Sequence, residues 1–350
     1  MQRRYLIGFL VLALGALFSF VAACGDTEDA TFDDEGNLIA GDHELVYKYD
    51  GIERSYLVHI PPQIEDASKG NGLPVIVALH GGGMRAEQMS RYTSLNARGD
   101  ELGIIILYPE GTGLLGEVTF WNAGNCCGKP MEDDVDDVGF ILNTIKHLSA
   151  RSFVDFNRLY ATGISNGGMM AYRLACEVPE VFAGIAPVSG ALNFDGCDPS
   201  TPISVIAFHG TDDERVPYDG GEGTTDDSEL LTSDTDNASV EDSLEVFRDA
   251  DNCESTPEIE TSGVVELATW SCDDETVVAR VKIEGGEHEW PVDGEANWLS
   301  LVGEHEWPVD GEANWLSLVG ESGGDANLLM WNFFQRNERP DIDTAGDLSR

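Results

Sequence analysis

Gly163-Ile164-Ser165-Asn166-Gly167 sets a serine between two glycines in a G-x-S-x-G pattern. The chemistry this spacing allows is nucleophilic attack by a hydroxyl. A serine on a sharp strand-to-helix turn has its side chain forced up and out, and small neighbours let the backbone turn without collision. The flanks fit that turn. Arg158 to Thr162 is a short apolar stretch that predicts a strand, and Gly168 to Ala175 predicts a helix. The helix N-terminus would offer free N–H groups and a partial positive charge to a developing oxyanion. The alternative is a glycine-rich turn with an incidental serine, and the strand–turn–helix context weighs against it.

A nucleophilic serine needs a base, an acid and two backbone donors. With the triad order Ser, then Asp or Glu, then His, elimination narrows the base. The histidines are His43, His59, His80, His147, His209, His288 and His305, and only His288 and His305 follow both Ser165 and a credible acid. The acid is expected in the loop after the apolar run Ile203 to Phe208, where His209-Gly210-Thr211-Asp212-Asp213 stands. Asp213 is the first choice and Asp212 the second; the alternative is that both only form a turn. His209 precedes the acid and is expected to brace the strand end. Asn166 supplies one oxyanion donor, and the loop His80-Gly81-Gly82-Gly83, through Gly82 and Gly83, the other.

These groups need a frame. Glu44 to Tyr49 and Arg54 to Ile60 predict a hairpin around Asp50-Gly51. Pro74 to Leu79, Gly103 to Leu107, Phe182 to Val188, Ile203 to Phe208 and Val277 to Ile283 predict further strands. Val138, Ile141, Leu142, Ile145 and Leu148 recur at helical spacing across 136–150, and a last helix is expected over 327–336. Strands alternating with helices predict an α/β fold, a mostly parallel sheet covered by helices on both faces. The acidic stretch 219–237 is expected to be a long surface loop.

The first 23 residues predict a leader rather than part of the fold. Arg3 and Arg4 precede an apolar run that ends in Val21-Ala22-Ala23-Cys24. Cysteine directly after small residues resembles a lipobox, in which Cys24 would carry lipid and tether the chain to a membrane. Simple secretion and an uncleaved anchor are the alternatives. Residues 24–42 predict an acidic solvated tether, 43–340 one catalytic domain, and 341–350 a polar tail. The chain carries 64 acidic and 20 basic residues, five of them lysines. Loss of Arg3 and Arg4 with the leader takes the formal charge from −44 to −46. Such a surface repels nucleic acid and points to adaptation to salt, where counterions screen the repulsion. Besides Cys24 there are six cysteines, an even number that suggests disulfides in an exported chain, with Cys253–Cys272 the favoured bridge. The spacing suits no zinc motif, and neither metal nor cofactor is expected. The seventeen letters of Gly286 to Val302 recur without change in Gly303 to Val319.

Read together, HGGG at 80–83, WNAGNCCG at 121–128, VDDVGF at 135–140, YATGISNGGMMAYRLAC at 160–176, FHGTDDERVPY at 208–218 and GGEHEWP at 285–291 carry a resemblance. Over about residues 43 to 338 the chain resembles the exported polyhydroxybutyrate depolymerase and feruloyl esterase family, close to carbohydrate esterases of the first family. The resemblance implies an α/β-hydrolase fold, with Ser165 as nucleophile, Asp213 as acid and His288 as base. It also implies that Trp121 and Trp290 border the substrate cleft, against the plainer reading that both are packing residues. The expected substrates are feruloyl or acetyl esters on plant polysaccharide, or short hydroxyalkanoate esters. Two departures from the family stand out: Glu287 and Glu289 flank His288, and the repeat offers His305 in an identical setting. His288 is preferred because the strand Val277 to Ile283 leads straight into the first copy. The rival functions are a peptidase of the same fold, which would need extra gating sequence, and a surface binding protein disabled by the repeat.

The charge imbalance generates a first prediction. Sodium chloride at molar concentration should raise the melting temperature, because screening relieves repulsion between like charges. Sucrose at equal concentration controls for general exclusion, and a melting temperature flat or falling with salt contradicts the idea.

Overall fold

The computed structural model describes residues 31–67, 69–114, 118–224, 236–291 and 325–337. Alternate residues of each central strand bury on opposite faces. In Leu73–Leu79 (β3), Val75, Val77 and Leu79 join one apolar cluster, and Ile76 and Ala78 join the other. The same split recurs in Ile105–Pro109 (β4), Gly184–Val188 (β8) and Ser204–Gly210 (β9). A strand apolar on both faces must be covered on both. Asp137–Ser149 (α5), Asn166–Glu177 (α6) and Val240–Ala250 (α7) supply residues to one cluster. Ala86–Thr93 (α2), Leu95–Leu102 (α3) and Ala326–Arg336 (α8) supply residues to the other. The remaining helices, Ile64–Ala67 (α1) and Gly128–Glu132 (α4), are short.

The main sheet also contains Gly41–Tyr49 (β1), Ile52–Ile60 (β2), Val154–Ile164 (β7), Glu258–Ser262 (β12), Val265–Ser271 (β13) and Val277–Ile283 (β14). Its order is β1-β2-β4-β3-β7-β8-β9-β14-β13-β12. From β4 to β14 the pairs are parallel, and both flanks are antiparallel. This is the mostly parallel α/β sheet that the alternation predicts. Two small hairpins stand apart: Thr112–Leu114 (β5) with Val118–Phe120 (β6), and Gly221–Glu222 (β10) with Asp236–Asn237 (β11). The ends of the expected 219–237 loop are thus paired, while 225–235 lies outside the described residues.

Each predicted strand and all three predicted helices are present, with boundaries shifted by a few residues. The stretch expected as a solvated tether is folded in part, from residue 31 onward. Leu38 is buried and its amide donates to the Arg151 carbonyl at 2.7 Å. The Asp33 carboxylate holds the turn before it by accepting from the Glu35 and Asn37 amides. An apolar side chain within an acidic stretch has found a core, so part of the stretch is folded. The leader, Cys24, His305 and the 341–350 tail lie outside the described residues. Cys253–Cys272 is bonded as favoured; Cys176–Cys197 and the adjacent pair Cys126–Cys127 are the others.

The first copy of the repeat follows β14 without a gap, as far as Pro291. The Pro291 carbonyl accepts the Ala326 amide at 3.2 Å, at the start of α8. The chain between them therefore leaves and returns at one point. Loop-closure entropy changes only logarithmically with length. Deleting residues 303–319 should raise the unfolding free energy by about 0.5 kcal/mol, read from urea denaturation. A loss above about 2 kcal/mol would show that the second copy makes contacts the rest of the fold needs.

Candidate active site

The carboxyl ends of β3, β7, β8, β9 and β14 lie side by side, because these strands are parallel neighbours. The loops that leave them carry the candidate residues. Ser165 lies between β7 and α6 at φ 57°, ψ −125°, a conformation L-residues rarely adopt. Its amide donates to the Val188 carbonyl at 2.9 Å. Glycines make the turn possible by removing side chains where backbones meet. A Cβ on Gly167 would lie 2.2 Å from the Leu79 carbonyl oxygen, and one on Gly163 would lie 2.5 Å from the Gly167 backbone. The α6 N-terminus therefore approaches the ends of β3 and β7 closely.

Asn166 opens α6, where an amide has no acceptor within the helix. Its side chain is locked by a pair of bonds to one residue. Oδ1 accepts from the Trp121 amide at 2.8 Å, and Nδ2 donates to the Trp121 carbonyl at 3.1 Å. Across from it, a Cβ on Gly82 would lie 3.5 Å from the Asn166 Cβ. The two glycines expected as donors differ. Gly83 already donates its amide to the Thr119 carbonyl at 2.8 Å, whereas Gly82 has no amide partner among the described residues. An engaged N–H is not available to an oxyanion, so the geometry favours Gly82 and not Gly83.

His80 holds this loop. Its Nε2 accepts from the Gly111 amide at 3.0 Å, so Nδ1 carries the proton and donates to the Gly81 carbonyl at 2.9 Å. The ring is neutral and fully buried, and burial lowers its pKa to about 4.

Asp213 is buried, while Asp212 is exposed. Asp213 Oδ1 accepts from the Arg215 and Val216 amides, both at 2.9 Å, and Oδ2 meets His288 Nδ1 at 2.8 Å. Burial pushes the Asp213 carboxyl up. Hydrogen bonds from His209 and His288, the His288 charge and the Val216 amide outweigh burial and hold it well below the usual carboxylate range. The loops that carry Asp213 and His288 are stitched together. The Thr211 amide donates to the Ile283 carbonyl, the Asp212 amide to the Gly286 carbonyl and the Gly285 amide to the Thr211 hydroxyl. A Cβ on Gly210 would lie 2.1 Å from the Gly286 carbonyl oxygen. No hydrogen bond joins Ser165 Oγ to His288 among the described residues, and such bonds are often long before substrate binds. Glu287 is exposed. The Glu289 carboxyl is raised by burial and then by the Glu287 charge.

The two tryptophans lie in the interior, not at the rim. Trp121 is fully buried and donates Nε1–H to the His80 carbonyl at 2.9 Å. Trp290 is 2% exposed and donates Nε1–H to Asn327 Oδ1 at 3.0 Å. Large rings with satisfied N–H groups in apolar surroundings pack and position; here they hold the 80–83 loop and the His288 loop. Sequence reading missed their partners. Tyr92 Oη accepts from the Trp290 amide at 2.9 Å, and Asn327 donates to the Thr93 carbonyl at 2.7 Å. Both partners stand far from residue 290 in the chain, so no local signal marks them. His209 does more than the expected bracing of the strand end. It braces the strand end through Nε2 and the Val216 carbonyl at 2.8 Å, and also lies 3.3 Å from Asp213 Oδ2. Among the described residues no group of three or more His, Cys, Asp or Glu side chains is arranged to hold a metal ion.

A parallel sheet of this order, with a strained serine between β7 and α6 and an acid–histidine pair after β9 and β14, has the α/β-hydrolase architecture. The acetyl xylan esterase of Aspergillus awamori shares the fold, with a TM-score of 0.52 and 15% identity, over 73% of this chain and 97% of that one. The chain belongs to the family described as Esterase PHB depolymerase, whose family model matches residues 54–221, and it is a serine carboxylic ester hydrolase. A relative named "Putative esterase NocK" from Nocardia uniformis subsp. tsuyamanensis is 30% identical over 69% of this chain and 72% of its own length. Feruloyl esterase B of Piromyces equi is 30% identical over 56% of this chain, and the match spans 35% of that longer protein.

The crowding at the elbow is testable without an assay of activity. Gly167→Ala should lower the unfolding free energy by about 2–4 kcal/mol, since its Cβ would meet two backbone carbonyls that cannot withdraw. Gly196→Ala is the control. Gly196 has φ 76° with open space around it, so only the left-handed strain of about 1 kcal/mol remains. Equal losses in the two variants would refute the close approach.

Proposed function

We propose that Ser165, His288 and Asp213 form the catalytic triad of this esterase. The carrying observation is the 2.8 Å contact between His288 Nδ1 and the buried Asp213 carboxylate. With Nδ1–H donating to Asp213, the Nε2 lone pair is the free base. In this reading Nε2 takes the Ser165 proton as Oγ attacks the ester carbonyl carbon. The carbonyl electrons move to oxygen, where the amides of Asn166 and Gly82 receive the charge. The imidazolium, held by Asp213, then protonates the leaving alcohol. Water, deprotonated by the same ring, attacks the acyl-enzyme and releases the acid and the serine. Asp213 stays ionised throughout, which its depressed pKa supports.

The substrates in this reading are feruloyl or acetyl esters on plant polysaccharide, or short hydroxyalkanoate esters. They follow from the family description and from relatives named feruloyl esterase and acetylxylan esterase. Export with a lipid on Cys24 is part of the proposal and rests on Arg3, Arg4 and the Val21-Ala22-Ala23-Cys24 boundary. Among the described residues no helix is long and apolar enough to cross a membrane.

Ser165→Ala should reduce kcat toward p-nitrophenyl acetate by about four orders of magnitude or more while leaving the circular dichroism spectrum unchanged. His288→Ala should lose several orders of magnitude, and His305→Ala should stay close to the parent. Retention of more than about a few per cent of kcat in the Ser165 variant sinks the assignment. If His305→Ala is the inactive one, the second copy supplies the base.

A further inference from the structure

One carboxylate oxygen in the candidate site serves two histidines. Asp213 Oδ2 meets His288 Nδ1 at 2.8 Å and His209 Nε2 at 3.3 Å. The other oxygen, Oδ1, accepts the Arg215 and Val216 amides. An ionised carboxylate offers about four lone-pair sites, and four donors stand against this one. His288 and the two amides account for three of them. His209 is the fourth.

His209 cannot act as a second base. Its Nε2 lies 2.8 Å from the Val216 carbonyl. A carbonyl only accepts, so Nε2 carries the proton. That proton lies between two acceptors, the Val216 carbonyl and Asp213 Oδ2, in the manner of a three-centre bond. The His209 side chain is 2% accessible, against 13% for His288. Of the two rings on Oδ2, only His288 is open to a reacting group.

The contacts close a ring. Val216 gives its amide to Asp213 Oδ1 and offers its carbonyl to His209. One imidazole therefore fixes both the turn and the carboxylate that the turn carries. His209 is itself anchored in the sheet, as the penultimate residue of β9 and opposite Lys282 of β14 in the parallel ladder. The Tyr218 ring meets it edge-on, with centroids 5.9 Å apart. The place of Oδ2 is thus set by a strand and not by its loop alone, and sites held by strands are the more precise. Burial pushes the Asp213 carboxyl up, and the His209 hydrogen bond leads the effects that bring it well below the usual range.

An electrostatic consequence follows. A donor on Oδ2 draws charge from the oxygen that meets His288. That oxygen then holds an imidazolium less tightly than it would without the donor. The neutral ring that attack requires is present at lower pH.

We propose that His209 is a positioning residue of the triad, which orients the Asp213 carboxylate through a second imidazole N–H on Oδ2 and sets how firmly that oxygen holds the His288 proton. This rests on the triad reading and adds a fourth residue to it.

The test uses the full chain and the pH profile of kcat/KM for p-nitrophenyl acetate, whose acidic limb marks where His288 gains its proton. His209→Leu keeps bulk and removes the donor, whereas His209→Gln places an N–H near the same point. The Leu variant should lose about tenfold in kcat with little change in KM, and its acidic limb should move up by about half a pH unit, the scale of a hydrogen bond shared between two acceptors. The Gln variant should bring the limb back to within about 0.2 pH unit of the parent. The other charged or titratable groups around the pair are Asp212, Arg215, Tyr218, Lys282, Glu287 and Glu289, and they are the same in every variant. A limb that stays or moves down in the Leu variant, or that coincides in the Leu and Gln variants, overturns the proposal. Should His209→Leu not fold, NMR of the parent with 15N-labelled histidine decides. His209 should carry its proton on Nε2, and the resonance of that proton should move in Asp213→Asn. A proton on Nδ1 alone, or no response to Asp213→Asn, overturns the proposal. Full activity in His288→Ala overturns the triad reading instead, and the NMR still decides whether His209 holds Asp213.

Discussion

The close approach of α6 to the ends of three strands is the constraint on which the candidate site depends. Gly167 and Gly163 meet backbone at distances no side chain tolerates, and Gly190 packs against Gly168 in the same way. This crowding fixes where Ser165 sits and forces its unusual dihedrals. It also brings the unpaired amides at the start of α6 next to Gly82. The strain at Ser165 is held by surrounding packing, because Met169, Met170, Ala171 and Tyr172 just beyond it are all buried. Strain of this kind persists only where the neighbourhood over-determines it.

A buried ion pair supports the other side. Arg54 meets Asp137 at 2.9 Å with both side chains nearly inaccessible, and its guanidinium lies 3.6 Å over the Phe140 ring. The second Asp137 oxygen accepts from the Asn122 amide at 2.9 Å, next to the Trp121 backbone that clasps Asn166. Through this pair β2, α5 and the loop around Trp121 are joined to the elbow. Such pairs add little net stability over apolar packing but are costly to break, since the remaining charge is left buried and alone. Its contribution here is placement: a planar guanidinium fixes the directions in which its carboxylate and carbonyl partners must lie.

Much of this was legible in the sequence because the chemistry is local. A glycine–serine elbow, a glycine-rich loop after an apolar strand and an aspartate after another are each confined to a few consecutive residues. What stayed hidden depends on burial or on contacts distant in sequence. Asp212 and Asp213 are the same residue type side by side, and only their environments separate them. Gly82 and Gly83 differ by a single hydrogen bond to Thr119. The family resemblance implies that the tryptophans border a cleft, yet their N–H groups find partners in the interior. The helices over 86–102 carry a weak signal, because α2 buries only Ala86, Met89 and Thr93 in a polar segment. The hairpin β12–β13 carries no clean alternation, because Ile259 is exposed among Glu258, Glu260 and Thr261.

The bond between Pro291 and Ala326 has a consequence for how this sequence can change. A chain segment that departs and returns at one hydrogen bond places little demand on its own length. A copying error there leaves the sheet, the elbow and the acid–base pair in register, whereas the same seventeen residues added inside any strand would shift its partners out of alignment. Selection is therefore nearly blind to additions at this one place. It lies three residues from His288, so a change of length there begins beside the candidate site and not within the sheet.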